Sequence, residues 1–209
     1  MPAMVYRVLD HPLVRCLLSK LRDRDTQPQE FRQLIAQLTT FLGMEATKNL
    51  PLQPCAVETP ICSTEGQQLQ NTIAIVPILR AGLGMAEPLF ELIPQAAVRH
   101  VGLFRDEETL QPVTYYQKLP ATPAEVVLIV DPMLATGGTA IATVTMMKEW
   151  GATDIRFLGI LAAPEGLEAL QTAHPDIQVL LAGLDEKLNE QGYIVPGLGD
   201  AGDRQYNTN

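Results

Sequence analysis

The residues best suited to chemistry lie in Val127-Leu128-Ile129-Val130-Asp131-Pro132-Met133-Leu134-Ala135-Thr136-Gly137-Gly138-Thr139. An unbroken apolar run ends in an acid. Small residues, two glycines and hydroxyls follow, and a helical stretch opens at Gly138. In open α/β sheets, ligands sit outside the carboxyl ends of the strands, and Asp131 would stand at that edge. Glycines let a backbone approach an anion closely, and the N–H groups of a helix start supply a favourable field. Ala135, Thr136, Gly137, Gly138 and Thr139 can therefore wrap a phosphate, with Thr136 and Thr139 adding hydroxyl donors. The segment is not a Walker A loop, because no Gly-Lys-Ser/Thr occurs. Its plainer reading is a strand-to-helix turn capped by Thr139.

A second segment, Val76-Pro77-Ile78-Leu79-Arg80-Ala81-Gly82-Leu83-Gly84, repeats the pattern. A strand runs into a loop holding an arginine and two glycines, and arginine offers bidentate donors to phosphate oxygens. Two such loops at neighbouring strand ends would make two phosphate sites about one ribose apart, which says more than either loop alone. A dinucleotide fingerprint is excluded on spacing: Gly82-x-Gly84 lacks the third glycine, since residue 87 is Glu.

These loops need a scaffold, and the sequence supplies one. Val14, Leu17, Leu18 and Leu21 repeat at helical spacing after Asp10, and Phe31, Leu34, Ile35, Leu38, Phe41 and Leu42 do so again before a stop at Gly43. Short β-rich runs then alternate with helical stretches. The runs are Val57 to Ile61, Thr72 to Ile78, Ala97 to Phe104, Val126 to Asp131, Ile155 to Leu161 and Ile177 to Ala182. The helical stretches are Gly84 to Ile93, Gly138 to Trp150 and Gly166 to Ala173. Val126 to Val130 is apolar throughout rather than alternating, which suits a parallel sheet buried on both faces. The alternation predicts an α/β fold with a doubly wound sheet. Thr109 to Pro120 breaks the pattern and reads as a β-arm or hairpin bracketed by prolines. The glycine-rich, apolar tail Gly192 to Asp203 reads as an ordered loop with close backbone approach.

The formal charge is −9, from 15 Lys and Arg against 24 Asp and Glu, which counts against nucleic acid as the main partner. Cys16, Cys55 and Cys62 form no Cys-x-x-Cys, and His11, His100 and His174 are scattered, so a structural zinc site is not expected and reduced, buried thiols are. The first residues contain no secretory h-region and no apolar run approaches about 18 residues, so no membrane span is expected and the cytoplasm is the default location.

The Asp131 segment resembles the 5-phosphoribosyl 1-diphosphate (PRPP) motif of the type I phosphoribosyltransferases. Other segments extend the resemblance to the uracil-specific branch: Val76 to Met85, Arg105-Asp106-Glu107-Glu108-Thr109, Tyr116-Gln117-Lys118-Leu119, Ala162-Ala163-Pro164-Glu165-Gly166 and Gly192 to Asp203, in the family's order. The wider family often carries two adjacent acids in this motif. Here Pro132 takes the second place, as in the uracil branch, and leaves Asp131 as the sole carboxylate there.

The resemblance implies a single type I domain over 1–209. It would have a mainly parallel sheet flanked by helices, N-terminal helices near 10–45, a protruding β-arm near 109–120 and a hood near 183–209 that binds the base. It implies transfer of the phosphoribosyl group of PRPP to N1 of uracil, giving UMP and diphosphate. Arg80 and Arg105 would bind the diphosphate, with a non-proline cis peptide at Leu79-Arg80. Asp131 would hold the ribose hydroxyls, while Pro132, Met133, Leu134 and Ala135 to Thr139 would bind PRPP around its 5′-phosphate. Backbone groups of Ile194, Gly199 and Ala201 would read the base. Asp200 would lie near PRPP and its Mg2+, line the uracil site and join Arg80 and Asp131 as a catalytic residue, and in its plainer reading only caps a turn. Mg2+ would be held mainly by substrate oxygens. The resemblance also implies a homodimer or larger homo-oligomer and a possible GTP effector. Transfer to another base, or a PRPP-sensing regulator without chemistry, are the alternatives it leaves.

Overall fold

The computed structural model describes residues 6–105, 112–117 and 119–208, with 103–105 and 112–117 as backbone only. Its centre is a parallel sheet in the order β1 (Tyr6–Val8), β11 (Gln178–Leu184), β10 (Asp154–Ala162), β8 (Val126–Val130), β4 (Ile73–Pro77) and β5 (Ala97–Val98). A short strand, β9 (Met133–Leu134), also pairs with β10. The helices are α1 (Pro12–Arg22), α2 (Pro28–Thr47), α3 (Leu83–Leu92), α4 (Gly138–Trp150), α5 (Pro164–Ala173) and α6 (Ala201–Tyr206). Among the described residues, three two-stranded antiparallel ribbons lie off the sheet: β2 (Leu52–Glu58) with β3 (Ser63–Leu69), β6 (Val101–Arg105) with β7 (Pro112–Gln117), and β12 (Lys187–Leu188) with β13 (Ile194–Val195).

The sheet is buried on both faces, as its apolar strands require. Val126, Leu128 and Val130 point to one side, into a core with Phe31, Ile35 and Leu38 of α2 and Met85 and Leu89 of α3. Val127 and Ile129 point to the other, against Val144 and Met147 of α4 and Leu167 and Leu170 of α5. Ile194, Leu198 and Ala201 from the C-terminal segment belong to the first core, so that segment is fastened to the sheet rather than laid over it.

Several sequence expectations change. Helix α2 does not stop at Gly43 but continues to Thr47. That glycine lets α3 come close: a Cβ there would lie 2.5 Å from Leu89 Cδ2 and 2.9 Å from Leu92 Cδ2. Helix α1 is capped by His11, whose Nδ1 accepts the Leu13 N–H at 3.1 Å. The run Ala97 to Phe104 is not one strand. Its first residues pair with β4, and the rest turns away to pair with β7, so the hairpin expected within 109–120 has its other strand at Val101–Arg105. Residues 106–111 and Lys118 lie outside the described residues. A free-standing hairpin does exist elsewhere, in β2 and β3, which are exposed along most of both strands. The cysteines form no disulfide, but they are not buried: Cys16 and Cys62 are exposed and Cys55 is half-buried. Among the described residues no helix is long and apolar enough to cross a membrane.

Candidate active site

Strands β4 and β8 are adjacent and parallel, with Pro77 opposite Val130, so both loops leave the sheet at the same level. The Ile78 N–H donates to Val130 O at 3.0 Å and the Asp131 N–H to Leu158 O at 3.2 Å, which fixes Asp131 at the carboxyl edge of the sheet. The chain beyond it stays tied to β10, because Leu161 N–H donates to Pro132 O (2.9 Å) and Ala163 N–H to Leu134 O (3.0 Å). Pro132 and Leu134 are buried in this strapping. Their side chains face the interior, so any contact they make with a ligand must come from the backbone.

The loop then turns at Gly137, with φ 83°, and α4 begins at Gly138 without any side-chain cap. Thr139 therefore does not cap the helix, contrary to the plainer reading. The first N–H groups of α4 are left to a ligand or to water, the arrangement that favours an anion. Gly137 and Gly166 interlock. A Cβ on Gly137 would lie 2.8 Å from Gly166 O, and one on Gly166 would collide with Ala135 O and lie 2.9 Å from Leu134 O. The first turn of α5 thus presses directly on the loop backbone. Gly166 is a packing position behind the loop that motif reading missed. Only its place in a matching segment hinted at it.

In the β4 loop the Leu79-Arg80 peptide is cis. Gly82 sits where a side chain would meet Val130 O and the backbone of Ile78. Arg80 is exposed and lies 3.8 Å from Asp203 Oδ1, a loose pairing that a stronger anion can replace. Arg105 ends β6, and its side chain lies outside the described residues.

Across from these loops stands the C-terminal segment. Ile194 faces Leu188 in a pair bracketed by the bond from Asn189 N–H to Tyr193 O (2.8 Å), so its own N–H and C=O turn away from the ribbon. The Val195-Pro196 peptide is cis, and Gly197 and Gly199 have φ of 66° and 82°. Asp200 caps α6 by accepting the Asp203 N–H at 2.9 Å. Helix α6 was not expected, because six residues carry no readable period; the Asp200–Asp203 spacing was the available signal. Gln205 of this helix, fully buried, donates from Nε2 to Ala81 O (3.1 Å) and Ala201 O (3.0 Å). One amide thereby ties the arginine loop to the C-terminal segment.

A cavity of about 350 Å³ lies between the two sides. Of the expected residues it brings together Asp131, Met133, Ala135, Ile194, Gly199, Asp200 and Ala201. Ala81, Gln191, Gly192, Tyr193 and Gly202 line it as well, and Thr136 to Thr139 continue from its edge. Burial raises the Asp131 carboxyl from an ordinary aspartate value to about 7. The bond from the Met133 N–H opposes this, and the charge of Asp200 adds to it. A raised carboxyl at a cavity floor marks a candidate functional group. Among the described residues no cluster of three or more His, Cys, Asp or Glu could hold a metal by itself.

A parallel sheet with an acid and a glycine-rich anion loop at one strand end, an arginine loop at the next and a C-terminal segment opposite is the arrangement of a phosphoribosyltransferase. The adenine phosphoribosyl transferase of Trypanosoma brucei, solved with AMP, pyrophosphate and ribose-5-phosphate, shares the fold at a TM-score of 0.59 and 14% identity over 96% of this chain and 89% of that one. The AQ2163 protein from Aquifex aeolicus is more similar, with a TM-score of 0.92 and 36% identity over 97% and 98% of the two chains. The uracil phosphoribosyltransferase of Roseiflexus castenholzii is 55% identical over 202 residues, 96% of this chain and 97% of its own. The family model for uracil phosphoribosyltransferase matches residues 8–208, and the chain belongs to that family.

Proposed function

We propose that the protein transfers the phosphoribosyl group of PRPP to N1 of uracil, giving UMP and diphosphate. The observation that carries this is the single cavity walled on one side by Asp131 and Ala135 and on the other by Ile194, Gly199 and Ala201. The Ala135–Thr139 loop takes the 5′-phosphate through the uncapped start of α4. Asp131 accepts from the ribose hydroxyls. Arg80 and Arg105 hold the diphosphate. Uracil offers acceptor, donor and acceptor at O2, N3–H and O4, and backbone groups of Ile194, Gly199 and Ala201 answer as donor, acceptor and donor. Cytosine reverses two of these matches, and each buried unpaired group costs about 1–3 kcal/mol.

Uracil N1 attacks C1′ as the C1′–O bond to diphosphate breaks, through a transition state with oxocarbenium character, and the N1 proton passes to the leaving diphosphate or to water. The residues contribute position and charge rather than a covalent intermediate. Two carboxylates, Asp131 and Asp200, share the cavity and repel one another, which suits a cation held between protein and substrate. Asp200 and Asp131 would face Mg2+ carried mainly by substrate oxygens, and the ion would neutralise charge growing on the diphosphate. A homo-oligomer is part of the proposal: a two-stranded ribbon such as β2–β3, exposed along most of its length, is marginal without a covering surface. GTP enters as an effector through the family resemblance alone.

The test is UMP formation from PRPP with uracil, cytosine, orotate, hypoxanthine and adenine, with and without Mg2+, and with GTP added. Mg2+-dependent UMP from uracil alone is expected. Product from another base would overturn the reading of the C-terminal segment. Arg80→Ala is expected to raise KM for PRPP by about 10–100-fold while KM for uracil stays within a few-fold, measured by initial rates.

A further inference from the structure

We infer that the Arg22–Asp185 ion pair is a positioning device that holds the base-reading loop through Gly197; this rests on the proposal that Ile194 and Gly199 read the base. Arg22 is the last residue of α1, and Asp185 directly follows β11. Neither residue lines the cavity that contains Asp131. The Asp185 side chain is only 4% exposed. Arg22 grips it with both terminal nitrogens, Nη1 donating to Oδ2 at 2.8 Å and Nη2 donating to Oδ1.

The pair closes on one peptide unit after the other. The Gly197 N–H donates to Asp185 Oδ2 at 2.8 Å, and Arg22 Nη1 donates to Gly197 O at 2.8 Å. Both backbone polar groups of Gly197 are therefore held by two charged side chains that are themselves fixed to the sheet and to α1. Gly197 lies three residues after Ile194 and two before Gly199. Its φ of 66° and its contact with the Ile194 carbonyl leave no room for a side chain. The next residue is anchored by the neighbouring position of the same helix: Arg204 Nη1 donates both to Leu198 O (2.7 Å) and to Leu21 O (2.9 Å).

Backbone recognition needs this support. A loop that reads a base with side chains can adjust a rotamer, whereas one that reads with peptide groups discriminates only as well as its backbone is held. A carboxylate satisfied by three donors and a guanidinium fork define both the distance and the angle of the Gly197 peptide, and a lone ammonium does not. Lysine at position 22 preserves charge but loses the fork, and asparagine at 185 preserves shape but loses charge.

The experiment compares Arg22→Lys, Arg22→Gln and Asp185→Asn with the unaltered enzyme. It measures KM for uracil, KM for PRPP, kcat, the uracil-to-cytosine ratio of kcat/KM, and amide exchange at Gly197 and Gly199 in the ligand-free protein. Expected are faster exchange at both glycines, KM for uracil raised by about tenfold or more and discrimination reduced by about 10–100-fold, with KM for PRPP within about twofold. Arg22→Lys should fall between the unaltered enzyme and Arg22→Gln. Unchanged exchange at Gly197 in folded Asp185→Asn protein overturns the clamp itself. Faster exchange with KM for uracil and discrimination unchanged keeps the clamp but overturns the base-reading role of the loop, and with it the positioning role. A parallel rise in both KM values assigns the pair to general stability and overturns the inference.

Discussion

Asp131→Asn is expected to lower kcat by about 10²–10³-fold and, in the same protein, to raise thermal stability above pH 7. The two effects have one origin. Burial at the carboxyl edge of the sheet and the nearby charge of Asp200 hold the Asp131 carboxyl at about 7, against 3.8 for an unperturbed aspartate. The folded state therefore binds its proton more tightly than the unfolded state does. The stability linked to this group is fully present below the unfolded value. It is lost as pH rises towards 7, where ionising the buried group costs up to about 4 kcal/mol. Water reaching the half-buried residue screens part of this, so about 2–3 kcal/mol is expected at pH 8. Asparagine carries no charge to bury and can still accept from the Met133 N–H. Its gain should appear as roughly 4–10 °C in Tm at pH 8 and vanish near pH 4.

The same group should shape the acid limb of activity. An ionised Asp131 is the better acceptor for ribose hydroxyls, so kcat/KM for PRPP should fall as pH drops below about 7. The substrate phosphate also titrates, near pH 6, but it does so identically with either enzyme. A limb that persists unchanged in Asp131→Asn would assign it to the substrate. A variant no more stable than the parent at pH 8 would show that the carboxyl is not held against its charge.

The scaffold was legible because its signals are local. Val126 to Val130 is apolar at every position, and only a strand covered on both faces has a use for that. Asp131 was legible for a related reason: an acid that ends such a run cannot lie inside it. What the sequence concealed depends on contacts between distant segments. Gly43 reads as a helix stop, but the reason for its glycine is Leu89 on another helix. Ser63 to Leu69 shows no alternation of apolar and polar residues, because β3 buries little on either face. The Ala97 to Phe104 run is uniformly compatible with a strand, and nothing in it marks where the chain leaves β4 for β7. In the site, the segments with chemistry in their side chains could be named, while the fastenings Gln205, Arg22 and Asp185 could not, since each acts on backbone more than 10 residues away.

Gly166→Ala carries that distinction to a test. The added methyl would collide with Ala135 O and lie 2.8 Å from Ala135 C and 2.9 Å from Leu134 O. All three are backbone atoms, and Leu134 O is held by the Ala163 N–H between β10 and α5, so no side chain can swing aside. Either α5 moves outward or the loop moves towards the cavity. Outward movement opens the packing of Leu167 and Leu170 against the sheet, with a cost of about 1–3 kcal/mol. Movement of the loop re-aims the N–H groups at the start of α4, and a displacement of about 1 Å at a binding group is worth about 10²-fold. PRPP affinity, measured by calorimetry on protein shown to be folded, should fall by about 100-fold. Gly138→Ala provides the contrast in stability: its Cβ meets nothing nearer than Thr136 Oγ1 at 4.0 Å, and its backbone is ordinary. It should melt within about 2 °C of the parent, because alanine suits the first turn of a helix better than glycine. If Gly166→Ala kept PRPP affinity within threefold, α5 would be the element that gives way, and the aim of the cradle would not depend on the contact at Gly166.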